Sequence, residues 1–346
     1  MIRFGKSAQD VLGFKKDFFD SNDRLRDDLL RINSLYAAQP RRTRCKLCDQ
    51  TLPEKRQFQS NGVAYLFCSR CGHLNGAHED TEEFCAAIYS DDQGRDYAKT
   101  YHSADREAYF KRVEQIYVPK AKFLIDALRE DGTDPVKAYY ADLGAGSGYF
   151  VAALKACGLQ HVTGYEVSAA QVELAAHMLS GRFVQQHELD ALGSVVQGLQ
   201  SNVVSMIGVL EHVRHPRDIL AKLKANPNVK YLYISVPLFS ISPFLEMAFP
   251  HVMPRHLAAA HTHLFTDSSL KWMAGEYGMT RIAEWWFGAD IMDLFRSVAV
   301  TLDKSPPTRE MNGLWHETFA PLLDELQLVI DKRKQSSEVH ALFRFE

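Results

Sequence analysis

The chain has 346 residues, 46% of them hydrophobic, and its 40 basic and 43 acidic side chains give a formal charge of -3. The length and apolar content predict a globular protein with a sizeable core, and the charge balance makes nucleic acid a poor candidate partner. The first residues lack a signal-peptide pattern, and no stretch approaches the roughly 20 apolar residues of a membrane span. We therefore expect a cytoplasmic protein without a membrane segment.

The first third of the chain changes character twice before the main domain begins. Helical spacing of apolar residues over 1–40 predicts amphipathic N-terminal helices. Residues 41–80 carry two cysteine pairs and an alternating strand-like run, and they predict a small separate module. Residues 81–134 are helical again and end at a sequence of turn-forming residues, so we expect a helical segment ahead of a domain that spans 135–346.

The two cysteine pairs have the spacing of a metal site. Cys45, Cys48, Cys68 and Cys71 follow a C-x2-C-x19-C-x2-C pattern. Four thiolates complete the tetrahedron of a zinc ion in a zinc-ribbon-like module. Because such a site has no position for water or substrate, we predict that the zinc is structural. Four unligated thiols are the alternative.

Beyond residue 135, strand-like segments alternate with segments of helical periodicity. This alternation predicts an α/β fold, a Rossmann-like, doubly wound and mainly parallel sheet of seven strands. The predicted strands are 137–142, 161–166, 182–186, 202–207, 230–236, 279–287 and 337–345.

A glycine-rich loop follows the first of these strands. Residues 142–148 read acid-x-Gly-x-Gly-x-Gly, and a helical pattern follows. Glycines allow a sharp turn close to a ligand, and the helix N-terminus offers free amides. A dinucleotide-binding loop would need a glycine or alanine at Tyr149, so the pattern argues against that class. A purely structural turn is the alternative.

The second predicted strand ends in an acidic residue. Glu166 lies about 20 residues beyond the glycine loop, the position of an acid that binds ribose hydroxyls. Its carboxylate is predicted to accept hydrogen bonds from both hydroxyls. A solvated glutamate at a strand end is the alternative.

Two further motifs carry a family resemblance. Residues 209–213 read Val-Leu-Glu-His-Val, with Pro216 shortly after, and residues 263–270 read His-Leu-Phe-Thr-Asp-Ser-Ser-Leu. With the glycine loop, they resemble class I methyltransferases over about 135–290, and the resemblance implies S-adenosylmethionine as cofactor. It implies cofactor contacts from Asp142, Gly144, Ala145, Gly146, Gly148, Glu166, Val167, Gly208 and Leu210, with Tyr97 and Tyr101 in a lid over it.

The chain departs from this family at a metal-binding motif. Some relatives bind a divalent cation through E-x-x-E-H, but Gly208 stands here in place of the first glutamate. Only Glu211 and His212 remain of that set. We therefore predict no catalytic metal.

The segment 237–268 follows the fifth strand of the domain and predicts an acceptor lid, because ligands bind beyond the carboxyl ends of parallel strands. Histidines that can accept a proton near neutral pH occur here and after the fourth strand. His212, His261 and His263 are the candidate general bases. Hydrogen-bonding roles are the alternative, and His261 with His263 lacks a third residue spaced to complete a metal site.

A four-cysteine module ahead of such a core resembles sugar C-methyltransferases, which implies a small-molecule acceptor, a sugar or sugar nucleotide. Some ribosomal-RNA methyltransferases share the arrangement, so an RNA or protein methyltransferase is the first alternative. A non-catalytic scaffold is the second, although the intact loop and Glu166 argue against it. The sequence predicts no oligomeric state. The RNA alternative depends on basic residues of the module, namely Arg41, Arg42, Arg44, Lys46, Lys55 and Arg56.

Overall fold

The computed structural model describes residues 1–7, 21–55, 57–89, 105–258 and 261–346. Apolar runs within these residues form two sheets. The strands are β1 (Ile2–Phe4), β2 (Phe58–Ser60), β3 (Val63–Phe67), β4 (Leu74–Gly76), β5 (Tyr140–Leu143), β6 (Val162–Glu166), β7 (Val184–Gln186), β8 (Val203–Ile207), β9 (Tyr231–Pro237), β10 (His263–Leu264), β11 (Met279–Phe287) and β12 (Glu338–Phe345).

The larger sheet has the order β1-β11-β12-β9-β8-β5-β6-β7. Strands β5 to β9 pair in parallel, whereas β12 is antiparallel to both of its neighbours. The predicted mainly parallel α/β fold is confirmed, and all seven predicted strands form. The predicted strand number is wrong by one, because β1 adds a parallel edge strand beside β11. Its three residues are too few to show an alternating pattern.

Helices cover both faces of this sheet. Alternate residues of β5 face opposite apolar clusters, with Ala141 and Leu143 on one side and Tyr140 on the other. None of the helices in the described ranges is long and apolar enough to cross a bilayer. The helices are α1 (Asn22–Ala37), α2 (Glu82–Tyr89), α3 (Arg106–Arg112), α4 (Val118–Glu130), α5 (Tyr149–Ala156), α6 (Ala169–Leu179), α7 (Leu192–Gly198), α8 (Pro216–Ala225), α9 (Ile241–Ala248), α10 (Asp267–Glu276), α11 (Asp290–Lys304), α12 (Met311–Phe319) and α13 (Leu323–Lys332).

The smaller sheet belongs to the cysteine-bearing part of the chain. Its order is β10-β4-β3-β2, and all its pairs are antiparallel. Strand β10 comes from the segment predicted as the acceptor lid and pairs with β4, which lies far upstream in the sequence. The cysteines also share one apolar cluster with strands of the large sheet. The module predicted at 41–80 therefore packs on the main domain and takes a strand from it.

Strand order places a crevice beside β5. The chain runs from β5 outward to β6 and β7 and then returns to β8 on the other side of β5. In open α/β sheets, ligands bind at such a reversal of strand order, beyond the carboxyl ends of the strands. The glycine loop after β5 and Glu166 at the end of β6 both lie at this edge.

Candidate cofactor and acceptor site

The glycine loop connects β5 to α5 with a backbone that glycine favours. Gly144, Gly146 and Gly148 have φ values of 67°, 54° and 77°, a region that L-residues with side chains rarely adopt. A Cβ atom at Gly144 would also lie 2.6 Å from Val209 Cγ2. The loop therefore requires glycine both for its backbone conformation and for its close packing against the loop after β8.

Glu166 connects this loop to the end of β6. Its Oε2 accepts a hydrogen bond of 2.8 Å from the Gly146 amide, and its Oε1 accepts 2.9 Å bonds from the amides of Val167 and Ser168. A carboxylate offers about four acceptor positions. The described residues use three of them, so the structure leaves one, on Oε2, for a ligand. Binding of both ribose hydroxyls by Glu166 stays a prediction.

Asp142 lies at the floor of the site, at the end of β5. It faces Ser205 across the parallel pair of β5 and β8, and the Ser205 hydroxyl donates a 2.6 Å hydrogen bond to its Oδ1. Burial raises the pKa of this carboxyl to about 7, against the lowering effect of the Ser205 hydrogen bond. Asp142 therefore changes charge near neutral pH while no ligand is bound.

A cavity of about 620 Å³ opens over these groups. Its size is that of a site for a drug-sized or cofactor-sized ligand. Seven of the predicted cofactor residues and one predicted base line it: Asp142, Gly144, Ala145, Gly146, Glu166, Val167, Gly208 and His212.

Two predicted cofactor residues lie behind the wall of this cavity. A Cβ at Gly148 would meet side chains of Ala175 and Leu179, and Leu210 is fully buried in the apolar core. They shape the wall and do not line it. The predicted lid tyrosines, Tyr97 and Tyr101, lie outside the described residues.

The cavity has lining residues that the sequence analysis missed. Residues 187–190 follow β7 and form one wall, a position that the strand-end rule for α/β sheets could have indicated. Tyr117 ends a π-helical turn between α3 and α4, and its ring stacks on Tyr149 with centroids 5.2 Å apart. Gln171 is also in the wall, where its Oε1 accepts a hydrogen bond from Ser147. No motif marked these side chains.

One predicted base, His212, lines the far end of the cavity, and a second, His261, lies beside it behind the lining residues. Their ring centroids are 5.0 Å apart. Glu211 lies beside them, with its Oε1 4.0 Å from His212 Nε2. Burial raises the pKa of Glu211 to about 8 and lowers the pKa of His261 well below its usual range.

The third predicted base occupies a different environment. His263 is fully buried in β10, and its Nδ1 lies 2.8 Å from Nε2 of the equally buried His73. Burial lowers the pKa of His263 well below its usual range. It is not among the residues that line the cavity. His263 therefore contacts His73 inside the small sheet and has no position in the cavity lining.

A family model described as a methyltransferase domain matches residues 112–284, half of the chain, and this range contains the loop, Glu166 and the Glu211–His212 pair. The chain belongs to this methyltransferase-domain family. It is therefore an S-adenosylmethionine-dependent methyltransferase, as predicted from the motifs. No curated protein sequence matches the chain.

Solved structures similar to this methyltransferase share little sequence identity with it. The plantazolicin methyltransferase BpumL in complex with SAH is 15% identical with a TM-score of 0.45, and the match covers 76% of this chain and 94% of that one. The magnesium protoporphyrin IX methyltransferase from Synechocystis PCC 6803 with bound SAH is 14% identical with a TM-score of 0.42, covering 58% and 90%. Similarity at this level carries no conclusion about the substrate.

The methyltransferase also contains a buried four-cysteine cluster. The Sγ atoms of Cys45 and Cys71 are 3.7 Å apart, and those of Cys48 and Cys68 are 3.4 Å apart. Four sulfurs at about 2.3 Å from a zinc ion in a tetrahedron would be separated by about 3.8 Å. The Asn75 amide donates to Cys45 Sγ at 3.5 Å, a typical outer-shell contact. The cluster is compatible with zinc.

A buried lysine within the first cysteine pair connects the cluster to the far end of the cavity. Lys46 Nζ forms an ion pair with Asp80 and donates to the Val213 carbonyl oxygen at 2.9 Å and to Thr262 Oγ1 at 3.1 Å. Val213 follows His212, and Thr262 lies between His261 and His263. The cysteine module therefore holds both segments that carry the predicted bases.

The structure changes the interpretation of the module's basic residues. Arg42 and Lys46 are buried, and both pair with Asp80. Arg44 pairs with Asp49 on the surface. Two of the six basic side chains, Arg42 and Lys46, are therefore not available to RNA, which weakens the case for a basic face on the module. Arg56 lies outside the described residues.

Proposed function

We propose that this methyltransferase transfers the methyl group of S-adenosylmethionine to a small-molecule acceptor of the sugar or sugar-nucleotide class. One observation carries the proposal. A single cavity runs from the glycine loop and Glu166 to His212, so one space can hold the cofactor and an acceptor side by side.

The proposed cofactor contacts come from the chain's own polar groups. The open acceptor position on Glu166 Oε2 suits one ribose hydroxyl, and the loop over 144–148 lets the cofactor approach the main chain closely. Residues 187–190 line the wall beyond β7, on the side of the cavity formed by β6 and β7. We assign the adenine to this wall and the methionine end to the loop.

The reaction requires orientation more than acid–base chemistry. The sulfonium is already electrophilic, so an acceptor oxygen or carbon attacks the methyl carbon as the carbon–sulfur bond breaks. S-adenosylhomocysteine leaves, and the acceptor loses a proton to a neighbouring group or to water. Holding two reactants in line inside a cavity that excludes water supplies most of the rate enhancement.

The acceptor class is supported by the chemistry of the far end of the cavity. His212 lines the cavity with Glu211 and His261 directly behind it, and these imidazole and carboxylate groups suit a polyhydroxylated ligand better than an apolar one. The RNA alternative loses part of its support, because Arg42 and Lys46 are buried in ion pairs.

We also propose that the four cysteines hold a structural zinc ion. Their spacing, burial and sulfur separations suit tetrahedral coordination. The zinc would stabilise the fold of the module and, through Lys46, the position of the segments around Val213 and Thr262.

Calorimetric titration of the zinc-loaded protein with S-adenosylmethionine and S-adenosylhomocysteine tests the cofactor site. We expect micromolar binding by wild type and loss of binding in Gly146→Arg, because Gly146 lines the cavity at positive φ. Gly158→Arg is the matched control, since Gly158 also has positive φ but lies in open space outside the cavity. Absence of binding in a folded wild type would favour the scaffold alternative.

The acceptor class needs a separate test. The protein is incubated with S-adenosylmethionine carrying a deuterated methyl group and a panel of sugar nucleotides, free sugars and short RNAs, and the products are detected by mass spectrometry. Label transferred to a sugar-containing compound supports the proposal. Label found only in RNA would replace the sugar acceptor with an RNA acceptor.

A further inference from the structure

Three potential ligand groups meet at the far end of the cavity. Glu211 and His212 lie in the short 3-10 turn Leu210–His212 after β8, and His261 lies two residues before β10. One ligand atom from each lies within 4.8 Å of the other two. The motif that relatives use for a cation is incomplete in this chain, but the fold brings in a histidine from a distant segment.

One carboxylate oxygen of this trio lacks a hydrogen-bond partner. Glu211 is only 3% exposed, and within the described ranges no group hydrogen-bonds its Oε2. A buried carboxylate oxygen without a donor is costly, and such oxygens normally pair with cations or coordinate metals. The histidines beside it supply the nitrogen ligands that accompany carboxylates in transition-metal sites.

The surroundings orient the trio and leave one side open. His261 Nδ1 donates a long hydrogen bond of 3.4 Å to the His256 carbonyl oxygen, which leaves Nε2 as the ligand nitrogen. On the other side, a Cβ built at Gly208 would meet only Glu211 Oε1, at 3.8 Å. Gly208 and His212 both line the cofactor cavity, so the open side of the trio faces the space for cofactor and acceptor.

We propose that Glu211, His212 and His261 bind one divalent transition-metal ion at the acceptor end of the cavity. Two imidazoles and one carboxylate suit Mn²⁺, Fe²⁺, Co²⁺ or Zn²⁺ better than Mg²⁺ or Ca²⁺, which prefer oxygen ligands. This assignment replaces both our expectation of no catalytic metal and the general-base role of His212 and His261.

The role of this metal ion in the reaction rests on the proposed function. Three protein ligands leave coordination positions for acceptor oxygens, and a bound hydroxyl loses its proton more readily. Metal binding itself does not depend on that function, so the proposed metal site and the proposed function can fail separately.

The test uses Mn²⁺, which is visible by electron paramagnetic resonance and disfavours thiolate ligands. Each sample is first adjusted to one zinc per chain, the content of the cysteine cluster, and then titrated with Mn²⁺. We expect one bound Mn²⁺ per wild-type chain. Glu211→Gln and His261→Ala should weaken binding at least about tenfold, since loss even of an outer-shell partner can cost that much.

His215→Ala is the matched control, because His215 lies on the same cavity wall close to His212 in sequence but outside the trio. It should bind Mn²⁺ as wild type does. Equal Mn²⁺ binding by Glu211→Gln and wild type, or none by wild type, would overturn the proposal. Calorimetry with S-adenosylhomocysteine on the same samples shows that each variant is folded. Samples that bind S-adenosylhomocysteine but not Mn²⁺ refute the metal site alone.

Discussion

The two ends of the cavity are built in different ways. Most of the cofactor end comes from residues 140–190, a continuous stretch of strands, loop and helices, to which Gly208 and Tyr117 are added from other segments. The acceptor end combines the Glu211–His212 turn, residues 261–266 and the four-cysteine module at 41–80, which lie far apart in the sequence. Local sequence patterns therefore predict the cofactor end. The acceptor end depends on contacts between segments that are far apart in the sequence.

Four contacts from three residues of the cysteine module assemble the acceptor end. Lys46 reaches Val213 and Thr262, His73 pairs with His263, and Thr266 Oγ1 donates to the Gly72 carbonyl oxygen at 3.1 Å. Each joins the cysteine module to a segment of the methyltransferase domain. Damage to the module should thus affect acceptor chemistry more than cofactor binding.

Loss of the zinc site should have the largest effect. Cys48→Ser removes one proposed ligand, and binding energies of about 10–16 kcal/mol for structural zinc make the module's fold dependent on the metal. We expect loss of zinc and of methyl transfer, with S-adenosylhomocysteine binding weakened but retained. Cys157→Ser, in a half-buried cysteine outside the cluster, should keep both zinc and turnover. Equal zinc content in the two variants would contradict the assignment.

Lys46→Met tests the link between module and domain. The Lys46 side chain is 2% exposed and pairs with Asp80, and breaking a buried pair by removing one partner costs about 3–5 kcal/mol. Denaturant unfolding should show this loss of stability. Titration with Mn²⁺ should show weaker binding of the metal. Arg44→Met, which breaks an exposed pair with Asp49, should change stability little. Equal stability of the two variants would show that the link is unimportant.

Asp142→Asn tests the buried acid at the cofactor end. Because the folded pKa is raised from 3.8 to about 7, the native state keeps a proton that the unfolded chain releases, and wild type loses stability as pH rises between these values. Asparagine cannot ionise. Without cofactor, the stability of the variant relative to wild type should increase by about 2 kcal/mol between about pH 5.5 and pH 8. A pH-independent difference would contradict this protonation.

Ser205→Ala should have the smallest effect. It removes one hydrogen bond to Asp142, which costs about 1 kcal/mol. The loss should be larger at high pH, because the hydrogen bond favours the ionised carboxylate. Denaturant unfolding of the apo-protein at both pH values measures it, and a larger loss at low pH would contradict the assigned geometry.

The sequence predicted most of the fold, because alternating apolar residues and glycine turns are local signals. All seven strands of the predicted sheet formed within a few residues of their expected bounds, and the strand-like run predicted within 41–80 forms β3. Strands β1, β2, β4 and β10 were missed, since each has only two or three residues and depends on pairing with another strand.

The candidate site likewise has a part that the sequence predicted and a part that it did not. The loop over 142–146 and Glu166 meet at the cavity because strand order places them there. His261 could not be matched with Glu211, because folding alone brings their two distant segments together. The burial of Arg42 and Lys46 was equally invisible, since Asp80, their shared partner, lies beyond both cysteine pairs in the sequence.

Hydrogen exchange with and without S-adenosylhomocysteine, read by mass spectrometry, tests the central claim most directly. If the cofactor binds as proposed, exchange should slow in residues 142–149, 166–171 and 187–192 and stay unchanged in β2 and β3 of the cysteine module. Slowing confined to the module, or absent from the glycine loop and the Glu166 segment, would contradict the assignment of the cavity.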